Sequence, residues 1–131
     1  MATVFTKIIK GEIPSYKVAE DEHFYAFLDI NPNALGHTLV VPKVEVDKFF
    51  DLDQSTYESM MVFVRKVAKA IEQVVPCNRV GMSVIGLEVP HAHVHLIPMQ
   101  SESDMFFQNK KHFTPDEMQQ VADSILNQFK H

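Results

Sequence analysis

Three of the seven histidines alternate in His91-Ala92-His93-Val94-His95-Leu96-Ile97. Successive side chains of a strand point to opposite faces, so this spacing predicts three imidazoles on one surface. One histidine on a strand is ordinary. Three in register imply a purpose, because desolvating titratable rings without one is costly. Two chemistries use such rings. The first is metal binding, since histidine is the commonest transition-metal ligand. Strand rise, however, puts His91 and His95 on the order of 13 Å apart at Cα, so a pair could bind one zinc but the triplet could not. With no HExxH pattern, cysteine pair or local carboxylate cluster to add ligands, no metal is expected. The second chemistry is nucleophilic. A neutral imidazole, with an ordinary pKa near ~6.5, attacks phosphorus while flanking rings donate hydrogen bonds to the non-bridging oxygens. His93, at the centre, is the candidate nucleophile. Its second ring nitrogen then needs an acceptor, expected to be a backbone carbonyl of the adjacent segment.

The elements that must position these rings fit one α+β domain over residues 1–131. Apolar residues at 4, 5, 8 and 9 suit a short helix that Gly11 stops and Pro14 keeps from resuming. Residues 24–28 read as a strand buried on both faces, 31–33 as a turn, and 37–42 as a second strand. Apolar positions 57, 60, 61, 64, 67, 68, 71, 74 and 75 trace one face of a helix over 53–75, which Pro76 ends. Residues 80–85 and 92–98 suit neighbouring strands joined through 86–90. A last helix opens with Thr114 as cap, Pro115 at the first position and Glu117 closing a capping box. Strands in runs with helices set apart predict an antiparallel sheet and a helix layer.

Composition narrows the partners. The formal net charge is −5, with scattered Lys and Arg, so no nucleic-acid footprint is present. The single cysteine, Cys77, excludes an internal disulfide, fits a reducing compartment and reads as a buried small hydrophobe. The N-terminal stretch holds neither a signal peptide nor a membrane span, which places the chain in the cytoplasm by expectation.

The alternating segment matches the H-φ-H-φ-H-φ-φ signature and resembles the histidine-triad family. The stretch FTKIIKGEIP over 5–14 is similar to that family's opening segment, and FLDINPNALGHTLVVPK over 27–43 to its second block. The resemblance implies an antiparallel five-stranded sheet with helices, extended across a two-fold homodimer, and no cofactor. It also implies a hydrolase acting on purine nucleoside phosphoramidates or related nucleoside monophosphate conjugates through a covalent nucleotidyl-histidine. By position, His93 is the nucleophile, His95 and His91 support the phosphate and its surroundings, and His37 buttresses the triad. Asp29 matches the acceptor of the ribose hydroxyls, a role suited to a two-oxygen acceptor, although an Asp before Asn31-Pro32 equally suits a turn. Phe5, Ile8, Phe27 and Ile30 match the wall of the base pocket; on pattern alone they equally suit core. The chain departs from the family in two places. A Gly-Gln-Ser/Thr-like stretch is replaced by the shorter Gly86-Leu87-Glu88-Val89-Pro90, which puts Glu88 beside the leaving group as a replacement acid, a filter against anions or a solvated bystander. Thr3 and Thr6 stand where some members carry zinc-binding cysteines. A nucleotide-binding module with little turnover is the rival reading.

Overall fold

The computed structural model describes residues 2–131. Three α-helices, α1 (Val4–Ile9), α2 (Gln54–Val74) and α3 (Pro115–Lys130), accompany five strands, β1 (Lys17–Glu20), β2 (Phe24–Leu28), β3 (Thr38–Pro42), β4 (Arg79–Ser83) and β5 (Val94–Met99). All pairings are antiparallel, in the order β1-β2-β3-β5-β4. This is the α+β class read from the sequence pattern and the five-stranded sheet implied by the family resemblance; β1 is the strand that the pattern did not indicate.

The helices form where their caps and periodicity place them. The Asp53 carboxylate accepts from the Thr56 amide at the start of α2. Thr114 and Glu117 close the capping box of α3, with Pro115 in its first turn. Both helices lie on one face of the sheet and bury Met60, Val67, Ile71 and Ile125 against Phe24, Ala26, Leu28, Val40, Val94 and Leu96. Ile71 and Ile125 are wholly excluded from solvent, each contributing roughly 1.5–3 kcal/mol of transfer free energy.

Even-numbered residues of β2, β3 and β5 thus build the helix-covered core. Odd-numbered ones face the other way, where Tyr25, Phe27, Leu39 and Val41 form a second apolar cluster under Phe5 of α1. His95 of β5 belongs to this face. Gly36 turns the chain from the 29–36 loop into β3 with φ +102°, and a Cβ there would lie 2.9 Å from the Val75 side chain, so glycine is required on both counts.

Two expectations are corrected. Strand β5 begins at Val94, not at 92, because Ala92 donates its amide to the Val46 carbonyl, outside the sheet. Cys77 is only partly buried and lies beyond the end of α2 rather than in the core. No helix among the described residues is long and apolar enough to cross a membrane.

Candidate active site

A cavity of about 710 Å³ opens on the odd-numbered face, a volume suited to a nucleotide-sized ligand. Its apolar wall is Phe5 and Ile8 of α1 with Phe27 of β2; Asp29, Ile30 and Glu88 line it further along, and His93 and His95 also border it. Phe5 and Phe27 meet edge to face at 5.6 Å. Ile30 is 73% exposed, so it belongs to the rim.

The ring tautomers follow from backbone groups, which have fixed roles. His93 Nδ1 lies 2.8 Å from the His91 carbonyl oxygen, so Nδ1 carries the proton and donates. Nε2 therefore keeps its lone pair. The expected carbonyl acceptor is present, but it comes from two residues earlier in the same segment rather than from a neighbour. Burial, the largest influence, holds the His93 pKa below the ordinary imidazole value, although the bond to the His91 carbonyl raises it.

A relay fixes the second ring. The Asn33 backbone amide donates to His37 Nδ1 at 3.0 Å, which leaves the His37 proton on Nε2. His37 Nε2 is 3.0 Å from His95 Nδ1, so it donates there and leaves His95 with a proton on Nε2. Burial, with the neighbouring His95 and Lys110 adding to it, pushes His37 down to about 3; His95 falls to about 4, mainly by burial and then by His93 and Lys110. Both rings are neutral near pH 7. The pair thus presents a nucleophilic lone pair on His93 and a hydrogen-bond donor on His95.

His91 does not join them at the cavity. It is fully buried beneath Phe5, with ring centroids 5.8 Å apart, and both of its nitrogens are taken. Nε2 donates to the Pro42 carbonyl at 2.8 Å, and Nδ1 lies 2.7 Å from the Thr3 hydroxyl. No ring nitrogen remains for a phosphate, so the sequence expectation of three rings on one ligand surface is corrected to two. Thr3 and Thr6 both reach the Glu45 carboxylate, the Thr3 amide at 2.7 Å and the Thr6 hydroxyl at 2.7 Å. This network anchors the start of α1, and with it Phe5, over the histidine segment.

Asp29 does two things. Oδ1 caps the turn by accepting from the Asn31 amide at 2.8 Å, while Oδ2 lies 3.6 Å from His37 Nε2. Burial, the largest influence, raises its carboxyl above the usual range. Asp29, His37 and His95 offer donor atoms within 4.8 Å of one another, a grouping that raises the question of a metal. The hydrogen bonds argue against the fit. His37 Nδ1 is engaged by the Asn33 amide, its Nε2 is protonated, and the His95 Nδ1 lone pair already accepts from it.

Sequence reasoning missed Asn33, Ser83, Phe107 and Lys110. Asn33 is 1% exposed and joins the site from three sides, its amide on His37, its side-chain nitrogen on the Asp104 carbonyl and its Oδ1 accepting from Lys110. Phe107 packs edge-on against His95 at 4.8 Å. Ser83 pairs with His95 across the sheet, and its hydroxyl is buried without a partner among the described residues. The turn signal at 31–33 and the β4 pattern place two of these; nothing local marks the others.

A family model describing the HIT domain matches residues 10–102, and the chain belongs to the histidine-triad family. The adenosine 5′-monophosphoramidase of Saccharomyces cerevisiae is 40% identical over 105 residues, covering 77% of this chain and 65% of that protein. The enzyme of the same name from Schizosaccharomyces pombe is 38% identical over 104 residues, covering 78% and 77%. Among solved structures, a hypothetical histidine triad nucleotide-binding protein of Sulfolobus tokodaii superposes with a TM-score of 0.85 at 30% identity, covering 96% of this chain and 91% of that one.

Proposed function

We propose that this single-domain, cytoplasmic chain is a metal-independent hydrolase of purine nucleoside 5′-phosphoramidates or related nucleoside monophosphate conjugates. The carrying observation is the His93 ring, with Nδ1–H held by a peptide carbonyl and Nε2 unprotonated at a nucleotide-sized cavity. The names of the two yeast relatives support the substrate class.

In the first step His93 Nε2 bonds to the α-phosphorus as the bond to the leaving amine breaks, and the amine departs with a proton. In the second, water oxygen bonds to phosphorus, the P–Nε2 bond breaks, and the proton given up in the first step is recovered from water. His95 Nε2–H donates to a non-bridging oxygen, Asp29 accepts from the ribose hydroxyls, and Phe5, Ile8, Phe27 and Ile30 enclose the base. Glu88, a carboxyl group on the same cavity, is the candidate that in its protonated form gives the amine its proton and then recovers one from the attacking water.

The test is steady-state hydrolysis of an adenosine phosphoramidate, a dinucleoside tetraphosphate and a sugar nucleotide, with and without EDTA. Release of AMP fastest from the phosphoramidate, unchanged by chelator, is the expected result. Activity abolished by EDTA and restored by one divalent ion would overturn metal independence. Run on Glu88→Gln, the panel should show loss of roughly 10²-fold on poor leaving groups and little on p-nitrophenol. The shortened 86–90 loop favours a second reading, a nucleotide-binding module, and tight binding without AMP release would establish it instead.

A homodimer completes the proposal. Strand β4 is an edge of the sheet, and Met82, Val84, Ile85 and Leu87 on and beyond it are exposed apolar residues. Pairing this edge and part of α2 with a second copy removes an open strand from solvent. Sedimentation at micromolar concentration is expected to give twice the 15.0 kDa chain mass, and a monomer would refute the pairing.

A further inference from the structure

Without Lys110 the cavity's charges would not suit an anion. Among the described lining residues there are two carboxylates, Asp29 and Glu88, and one fixed cation, Lys110. His93 and His95 border the same space as neutral rings, each already bonded on the Nδ1 side. A nucleoside monophosphate conjugate carries at least one negative charge at the α-phosphate, so a site of neutral donors and two carboxylates would repel the group it must bind.

Lys110 is held where it can correct this. Its Nζ donates to Asn33 Oδ1 at 3.1 Å and lies 5.0 Å from the centroid of Phe107, the ring that packs against His95. The next residue, Lys111, donates its amide to the Pro32 carbonyl at 2.8 Å, and the Asn33 side chain binds the Asp104 carbonyl. The 104–111 segment is thereby stitched to the 29–36 loop. The same Asn33 that orients His37, and through it His95, also parks the ammonium.

We propose that Lys110 is a phosphate-binding residue of this site, its ammonium contacting a non-bridging α-phosphate oxygen beside His95 and neutralising the charge that gathers at phosphorus. The proposal rests on the cavity taking a nucleotide, as argued above. It assigns the segment after β5 a direct part in the chemistry, and it makes Asn33 a shared support for the cation and the histidine relay. In the free protein Asn33 Oδ1 occupies the ammonium, and a phosphate oxygen competes for it as a charged and stronger acceptor.

The experiment is titration of AMP and of adenosine, separately, into the wild type, Lys110→Gln and Lys110→Arg. The wild type is expected to bind AMP more tightly than adenosine. Lys110→Gln should weaken AMP roughly 10- to 100-fold, the range for a hydrogen bond to a charged group, and leave adenosine within about twofold. Lys110→Arg should restore most of the AMP affinity, and added salt should erode the difference between wild type and Lys110→Gln. An unchanged ratio of AMP to adenosine affinity in Lys110→Gln would overturn the proposal while leaving the hydrolase reading intact. Parallel weakening of both ligands would also overturn it, since that is the mark of a merely structural shelf. A wild type that binds adenosine and AMP equally, or neither, would overturn both this proposal and the nucleotide reading beneath it.

Discussion

His93→Ala is expected to lower kcat on an adenosine phosphoramidate by on the order of 10⁴-fold or more while AMP affinity stays within a few-fold. The asymmetry follows from where the ring sits. It lines the cavity, its Nδ1 is committed to the His91 carbonyl so that Nε2 keeps the lone pair, and it meets the Phe5 ring at 5.0 Å in a T-shaped contact. Removing it deletes the attacking lone pair but leaves the apolar wall, Asp29 and His95 in place. Mass spectrometry after a denaturing quench at alkaline pH, where a P–N bond to histidine survives, checks the chemistry directly: an AMP adduct on the wild type during turnover, and none on the variant. A variant keeping more than a tenth of the wild-type rate would sink the nucleophile assignment.

The second large effect concerns stability in acid. His37 and His95 are buried and held neutral, with folded pKa values of about 3 and about 4, whereas the unfolded chain protonates both near ~6.5. Between those limits the unfolded state binds more protons, so stability falls as pH falls, by up to about 1.4 kcal/mol per unit for each group. Asp29 works in the opposite sense, since a carboxyl raised by burial takes up its proton more readily in the folded state. The two imidazoles outnumber it, and the net slope is downward. Urea midpoints are expected to hold steady above pH 6.5 and drop continuously towards pH 4. His37→Gln should flatten that decline by about one proton's worth. A midpoint constant from pH 6.5 to 4 in the wild type would show that these rings are not held neutral as their burial implies.

Much of this architecture could be read from residue order. The period of 53–75 and the cap at Thr114 specified α2 and α3 because helical periodicity and capping are local properties. The strand over 24–28 was equally plain as an apolar run. Strand β1 was missed: only Val18 and Ala19 are buried, flanked by Lys17 and Glu20, so no alternation exists to detect. The histidine alternation pointed to two rings that line the cavity, His93 and His95, but overstated the uniformity of the three. It assumed a strand through all three rings, whereas the chain joins the sheet only at Val94, and His91 is turned under Phe5 by contacts with Thr3 and Pro42. Those partners lie 88 and 49 positions away. The same distance in sequence hid Lys110, whose bond to Asn33 spans 77 residues and which looks, in Asn109-Lys110-Lys111, like any solvated basic pair.

The acceptor that steadies His93 belongs to the main chain, and that has consequences for how the site tolerates change. A carboxylate in that place would draw the imidazole towards its cationic form and would itself be lost on protonation or by a single substitution. The His91 carbonyl carries no net charge, does not titrate, and persists whatever side chain stands at position 91. The side chain at 91 acts on His93 only by placing that carbonyl: the buried ring is fixed by Thr3 and the Pro42 carbonyl, and the tilt of the peptide plane is further set by the Ala92 amide on the Val46 carbonyl and the His91 amide on the Val89 carbonyl. Insertions or deletions in 86–90 reach the nucleophile through the Val89 bond, without touching it.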